Sequence, residues 1–304
     1  MSYKWAFFLY GLSLSAEKID LLLEWHSNPV HVALYAGQEK GFFKQENIEL
    51  NLLKTLDETY GIQFLEINRC DIALTYTLSF MRALERADQF QIIATYVNEG
   101  LQGVAVLEES EIKTPMDLKE KTIAAKPNGT TAKILNHFAS HQNIAYKTIK
   151  KMTMNEQLAL IFGKVDAISG IFWNIEGHKL AASHVKTRIF PFTTLGVPPY
   201  PELLFISKKN HTKKNQDLVQ RFKRALEASI FFAKSNPDEA FLCYQKCMVD
   251  KGKKTLNWEK QSWKETWPLL SLDGKVDHKR LQTLHIWMKE NNLLQYDYDP
   301  NLFF

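Results

Sequence analysis

Three short stretches of this 304-residue chain set an aromatic ring close to a hydrogen-bonding side chain: Trp25 with Asn28 and His31, Trp173 with Glu176, and Tyr200 with Glu202. Rings supply contact area and a few polar atoms fix orientation, which is the equipment of a small-molecule pocket. Trp25, Trp173 and Tyr200 offer faces, and Asn28, Glu176 and Glu202 offer edges. Each has an ordinary alternative when taken singly. Trp25 and Trp173 read equally as core aromatics, and Glu176 or Glu202 as surface carboxylates. His31 reads as a ligand contact or as a capping or buried structural residue. Tyr76, at the end of another apolar run, is a further candidate wall.

Other patterns carry less. His137 and His141 are four apart, but His-Phe-Ala-Ser-His lacks the Glu of a zinc-protease helix, so solvent-facing histidines are expected and no metal. Cys70, Cys243 and Cys247 form no disulfide framework. Pro127-Asn-Gly-Thr-Thr131 ends a strand and opens a helix whose free amides attract polar groups, without the Lys and spacing of a phosphate-binding loop. A net charge of +4, with Lys scattered in short clusters, gives no basic face for nucleic acid.

The elements that position these residues follow from the apolar pattern. Lys18 to Trp25 reads as a buried strand, and Asn28-Pro29 opens a helix, Asn as cap and Pro at the first helical position. Gly41 is placed to end that helix. Strands follow at Ile48–Leu52, Asp71–Thr75, Gln91–Val97, Gly103–Leu107, Thr122–Ala125 and Val165–Phe172, with helical stretches between most of them. Such alternation predicts mostly parallel sheets with covered faces. From Lys208 the pattern turns helical, with Leu218, Phe222, Leu226 and Ile230 on one face, and breaks at Pro237, Pro268 and Asp273-Gly274. Residues at the carboxyl ends of parallel strands, such as Trp25 and Asn28, stand where open α/β sheets bind ligands.

At the amino terminus, Lys4 precedes an apolar run from Trp5 to Leu14 and small residues at Ser13, Ser15 and Ala16. That order is the order of a secretory signal peptide, and residues 1–16 are expected to be one.

Trp25-His-Ser-Asn-Pro-Val-His-Val-Ala-Leu-Tyr-Ala-Gly-Gln-Glu-Lys-Gly-Phe-Phe43 resembles the opening motif of the thiamin-pyrimidine-binding and pyrimidine-synthase family of periplasmic-binding-protein folds. Gly170-Ile-Phe-Trp-Asn-Ile-Glu-Gly177 and Gly196-Val-Pro-Pro-Tyr-Pro-Glu-Leu-Leu204 resemble its transport-binding branch, in compatible order. The resemblance implies two α/β lobes with a ligand cleft between them: residues 17–107 plus 206–304 as one lobe, 108–205 as the other. It also implies a soluble, monomeric periplasmic protein that captures a thiamin-precursor aminopyrimidine for an inner-membrane ABC permease, with no cofactor. In the synthase branch, a Lys that holds pyridoxal phosphate and a nearby His do the chemistry. Thr75 and Ser79 occupy those places here, and neither has the amine that a Schiff base needs. A binding protein for a sulfonate or another heterocycle remains the alternative.

Overall fold

The computed structural model describes residues 15–55, 60–84, 89–126, 129–151, 156–250 and 256–294. The expected signal peptide falls mainly on residues 1–14, outside the described residues, as do Pro127 and Asn128. Ten strands are described: β1 (Glu17–Leu22), β2 (Ile48–Leu53), β3 (Ile72–Tyr76), β4 (Phe90–Val97), β5 (Gln102–Leu107), β6 (Thr122–Ala125), β7 (Thr148–Lys151), β8 (Ala167–Phe172), β9 (Thr187–Pro191) and β10 (Leu203–Lys208). They form two five-stranded sheets, ordered β2-β1-β3-β10-β4 and β7-β6-β8-β5-β9.

The two sheets are wired alike. In the first, β1 pairs in parallel with β2 and β3, while β10 runs antiparallel to β3 and β4. In the second, β6 pairs in parallel with β7 and β8, while β5 runs antiparallel to β8 and β9. Four strands of each sheet therefore point one way, as the alternation predicts, and the fifth makes each sheet mixed. The reversed strands are those that enter from the other sheet. β5 starts with Gln102 opposite Phe172, the last residue of β8, and β10 starts with Leu203 opposite Tyr76 and Val97, the last residues of β3 and β4. Both crossings thus lie at the carboxyl edges of the parallel strands.

The first crossing spans residues 98–101 and the second 192–202, the latter opening with a 3-10 turn, Phe192–Leu195. Both precede the boundaries expected from sequence, so β5 belongs to the second sheet and all of β10 to the first.

Helices α1 (Val32–Glu39), α2 (Phe42–Gln45), α3 (Tyr60–Glu66) and α4 (Thr77–Leu84) connect the strands of the first sheet, and α5 (Thr130–His141), α6 (Glu156–Ile161) and α7 (Glu176–Ala182) those of the second. Gly41 has φ 76°, a left-handed conformation natural to glycine, and turns the chain from α1 into α2. After β10 come α8 (Lys209–Lys214), α9 (Gln216–Ser235), α10 (Pro237–Asp250), α11 (Asn257–Thr266) and α12 (His278–Glu290). The stripe Leu218, Phe222, Leu226 and Ile230 of α9 is buried with Val32, Ala33 and Ala36 of α1 in one apolar cluster. α12 departs from the expected division: Leu281, Leu284 and Met288 share a cluster with Ile134, Leu135 and Phe138 of α5, and Trp287 meets His137 edge-on at 5.0 Å. The carboxyl-terminal helix therefore touches α5 of the second lobe, in a cluster that also holds Leu22, Ala73 and Ile206 of the first sheet.

Among the described residues, no helix is long and apolar enough to cross a membrane.

Candidate functional site

Beyond β1 the chain turns through Leu23–Asn28 into a 3-10 turn, Pro29–His31. This loop satisfies its own polar groups. Asn28 Oδ1 accepts from Val30 N at 2.8 Å, which caps the turn, and Asn28 Nδ2 donates to the His26 carbonyl at 3.2 Å. His31 Nδ1 accepts from Asn28 N at 3.2 Å, so its proton sits on Nε2, which donates to Glu24 Oε2 at 2.7 Å. His31 and Glu24 are 0% and 3% exposed. Tyr96 of β4 donates to the Val30 carbonyl at 2.8 Å, and Ser27 and Tyr35 share a hydrogen bond of 2.5 Å. Of the three residues singled out here, His31 and Asn28 have their polar atoms engaged within the chain. The Trp25 ring stays half-buried, 5.5 Å from the ring of the exposed His26.

At the corresponding edge of the second sheet, β8 passes into α7 through Trp173-Asn174-Ile175. Phe172, Trp173 and Ile175 pack on the apolar cluster of the first lobe. The Phe172 ring lies 5.0 Å from Tyr76 at the end of β3, so strand-end aromatics of the two sheets meet directly. Trp173 is half-buried, and its indole N–H reaches the carbonyl of Gly100 in the first crossing at 3.4 Å. Glu176 begins α7, and its carboxylate accepts from Phe172 N at 3.0 Å. Burial pushes the Glu176 carboxyl up to about 7, while that backbone donor pulls it the other way. A carboxyl pushed up by burial, three residues after an indole at a strand end, is a candidate recognition group.

Tyr200 and Glu202 stand in the second crossing, and the structure packs both against the first. The Glu202 carboxylate is 0% exposed and accepts from Leu101 N at 2.7 Å and Gln102 Nε2 at 2.8 Å, both on the first crossing side. Its backbone joins the same knot, with its N–H on the Val97 carbonyl and its carbonyl on Thr77 N, each at 2.9 Å. Burial raises its carboxyl to about 7, against the pull of those donors. Tyr200 is 1% exposed and packs against Gly100, where an added Cβ would come within 3.1 Å of the ring. Burial and the Glu202 carboxylate hold its hydroxyl well above its ordinary range. Expected as a ring face and an edge contact, both residues are buried: the Glu202 carboxylate ties the two crossing segments together, and the Tyr200 ring packs on Gly100 with its hydroxyl unpaired among the described residues.

Thr75 is buried in β3 and Ser79 half-buried in α4, so hydroxyl side chains fill both positions. His137 is half-buried against Trp287 and only His141 is exposed, a partial departure from two solvent-facing rings. No group of three or more His, Cys, Asp or Glu suited to a metal occurs among the described residues. The Cys70 thiol is buried and pushed up to about 12, mainly by desolvation. A surface groove of 500 Å³ lined by Asn98, Glu99, Asp273 and Arg280, among others, involves none of the strand-end residues. Sequence reasoning passed over Glu24, Phe172 and Asn174. Phe172 and Asn174 flank Trp173 within a motif already singled out, and the Glu24 carboxylate, one residue before Trp25, gave its signal only through His31.

Two sheets joined by a double crossing, with aromatic residues converging at their carboxyl edges, define a periplasmic-binding-protein fold. The periplasmic aliphatic sulphonate binding protein SsuA of Escherichia coli superposes with a TM-score of 0.73 at 14% identity, covering 94% of this chain and 97% of that one. The model of the family described as NMT1/THI5 like matches residues 28–240, and the chain belongs to that family. A Haemophilus influenzae protein named for thiamine biosynthesis is 27% identical over 285 residues, 93% of this chain and 90% of that protein. The formylaminopyrimidine-binding protein of Halalkalibacterium halodurans is 26% identical over 226 residues, 74% of this chain and 68% of that protein. The 4-amino-5-hydroxymethyl-2-methylpyrimidine phosphate synthase of Legionella pneumophila is 26% identical over 243 residues, 78% and 76% of the two chains.

Proposed function

We propose that this protein is the solute-binding component of an ABC importer that captures a thiamin-precursor aminopyrimidine outside the inner membrane. The observation that carries the proposal is the meeting of strand-end aromatics from both sheets, Tyr76 against Phe172, with Trp173 and Glu176 on the adjoining turn. Trp25, Tyr76 and Trp173 supply faces for a flat ring, and Glu176 accepts from its amino-bearing edge. Asn28 and His31 hold the frame under Trp25, and Tyr200 and Glu202 hold the hinge. The open form admits ligand, contacts from both lobes favour closure, and a permease reads the closed form. The family relationship and the pyrimidine-binding relative support this ligand class, and the carboxyl of Glu176 speaks against a sulfonate.

The residues present do not fit the synthase branch of the family. Thr75 and Ser79 carry no amine, so a pyridoxal cofactor has no Schiff-base partner in the expected place. Calorimetric titration with the hydroxymethyl and formylaminomethyl aminopyrimidines tests the reading. Saturable heat and a rise in melting temperature are expected with one of them. Silence in both measurements sinks the ligand assignment, and pyrimidine formed from pyridoxal phosphate by the purified protein would reverse the binding-protein reading.

A further inference from the structure

The turn between β8 and α7 holds one polar group whose hydrogen bonding is incomplete. Asn174 is 0% exposed, and its Nδ2 donates to Thr266 Oγ1 of α11 at 2.8 Å. The single hydroxyl proton of Thr266 is already committed to the Ser262 carbonyl at 2.8 Å. Thr266 can therefore only accept from the amide, which fixes the Asn174 side chain with its NH2 toward α11 and its carbonyl oxygen turned away. That oxygen, Asn174 Oδ1, has no partner. Buried acceptors are paired in the great majority of cases, and leaving one unmet costs stability.

The location is pointed. α11 packs on both the Pro29–His31 turn of the first lobe and α7 of the second, and His178 Nε2 lies 2.9 Å from Glu265 Oε2 along the same contact. Asn174 itself stands between Trp173 and Glu176, the ring and the carboxyl assigned to the ligand. A buried side chain whose NH2 is held by a helix that touches both lobes, and whose carbonyl oxygen is unmet, has an acceptor left for a donor from outside the chain.

We propose that Asn174 Oδ1 accepts a hydrogen bond from an N–H donor of the ligand, with Thr266 as its positioning residue. The proposal rests on the aminopyrimidine reading and adds a rule to it. Because the Thr266 hydroxyl cannot donate to the amide, Asn174 cannot flip to offer an NH2, so the site favours a donor on the ligand and rejects an acceptor in the same place.

The test compares 4-amino-5-hydroxymethyl-2-methylpyrimidine with its 4-oxo counterpart by calorimetry on the full chain. The wild-type protein is expected to prefer the amino compound. Asn174→Leu should weaken the amino compound about tenfold or more and the oxo compound far less, since only the former loses a partner. Thr266→Val frees the amide to turn and should shrink the discrimination, with a fall in melting temperature because the buried NH2 loses its acceptor, and Thr266→Ser should restore both. Should Asn174→Leu not fold, the Thr266 pair decides alone. Equal weakening of both compounds, or unchanged discrimination in Thr266→Val, overturns the assignment and leaves the pyrimidine reading standing. Binding of neither compound by the wild-type protein overturns both.

Discussion

The loop after β1 and the turn after β8 occupy equivalent places in two sheets of identical strand order, yet they are built on opposite principles. In the first, Glu24, Asn28 and His31 close on one another, so the loop under Trp25 is a finished piece of structure. In the second, Asn174 lacks a partner for its carbonyl oxygen and Glu176 is held near neutrality. One edge is satisfied within the chain, and the other keeps an unpaired acceptor and a carboxyl raised by burial. Under the proposed function, the difference teaches that a two-lobed site can assign rigidity to one lobe and discrimination to the other. Preorganisation on one side limits the ordering cost that binding must overcome.

The sharpest break in this contrast is His31→Ala. Removing the imidazole leaves the Glu24 carboxylate buried with only a 3.5 Å contact to Asn28 Nδ2, and a loss of about 3 kcal/mol or more in denaturant unfolding is expected. A loss under about 1 kcal/mol would mean that the loop is no frame at all.

Glu176→Gln addresses the responsive side. Between the ordinary carboxylate range and pH 7, the folded chain keeps a proton that the unfolded chain has released. Stability from this group is therefore fully present at acidic pH, falls as pH rises through that window, and levels off above it. With the carboxyl at about 7, its share is roughly 3 kcal/mol, and Glu202 contributes in the same direction. Melting curves from pH 4 to 8 should flatten in Glu176→Gln; an unchanged slope assigns the effect to Glu202 alone.

Trp25→Ala follows in size. If the indole is a ligand face, affinity drops by over ~1 kcal/mol with the fold intact. Equal dissociation constants for both proteins would remove Trp25 from the site. The smallest effect is expected of Asn28→Ala, about 1 kcal/mol of stability from the lost cap and little change in affinity. A tenfold weaker dissociation constant would instead return Asn28 to the ligand and blur the comparison.

Much of the scaffold is legible along the chain because it rests on local rules. The Asn28-Pro29 start, the Gly41 stop, the strand Thr122–Ala125 and the helix Thr130–His141 follow from capping, glycine and periodicity, and the structure has them within a residue or two. β7 and β9 carry no such signal. Thr-Ile-Lys-Lys is too short and polar, and Thr-Arg-Ile-Phe-Pro ends in a residue that strands avoid, so only their neighbours make them strands. The repeated strand order of the two sheets is likewise invisible, because topology repeats here without sequence repeating.

For the site, the chain by itself supplied the candidates: aromatic and polar residues at strand ends, read from spacing and placed in a family by three motifs. It did not determine the roles. Whether Asn28, His31, Tyr200 and Glu202 face a ligand or one another depends on contacts across the fold. Glu202 meets Leu101 and Gln102 from a hundred residues away, and Asn174 meets Thr266 from ninety-two. Hydrogen-bond partners at such separation are set by how two sheets and a late helix pack. That packing buried one expected ring-and-carboxylate pair between the crossings and left a neighbouring amide, unmarked by its type, with its acceptor unpaired.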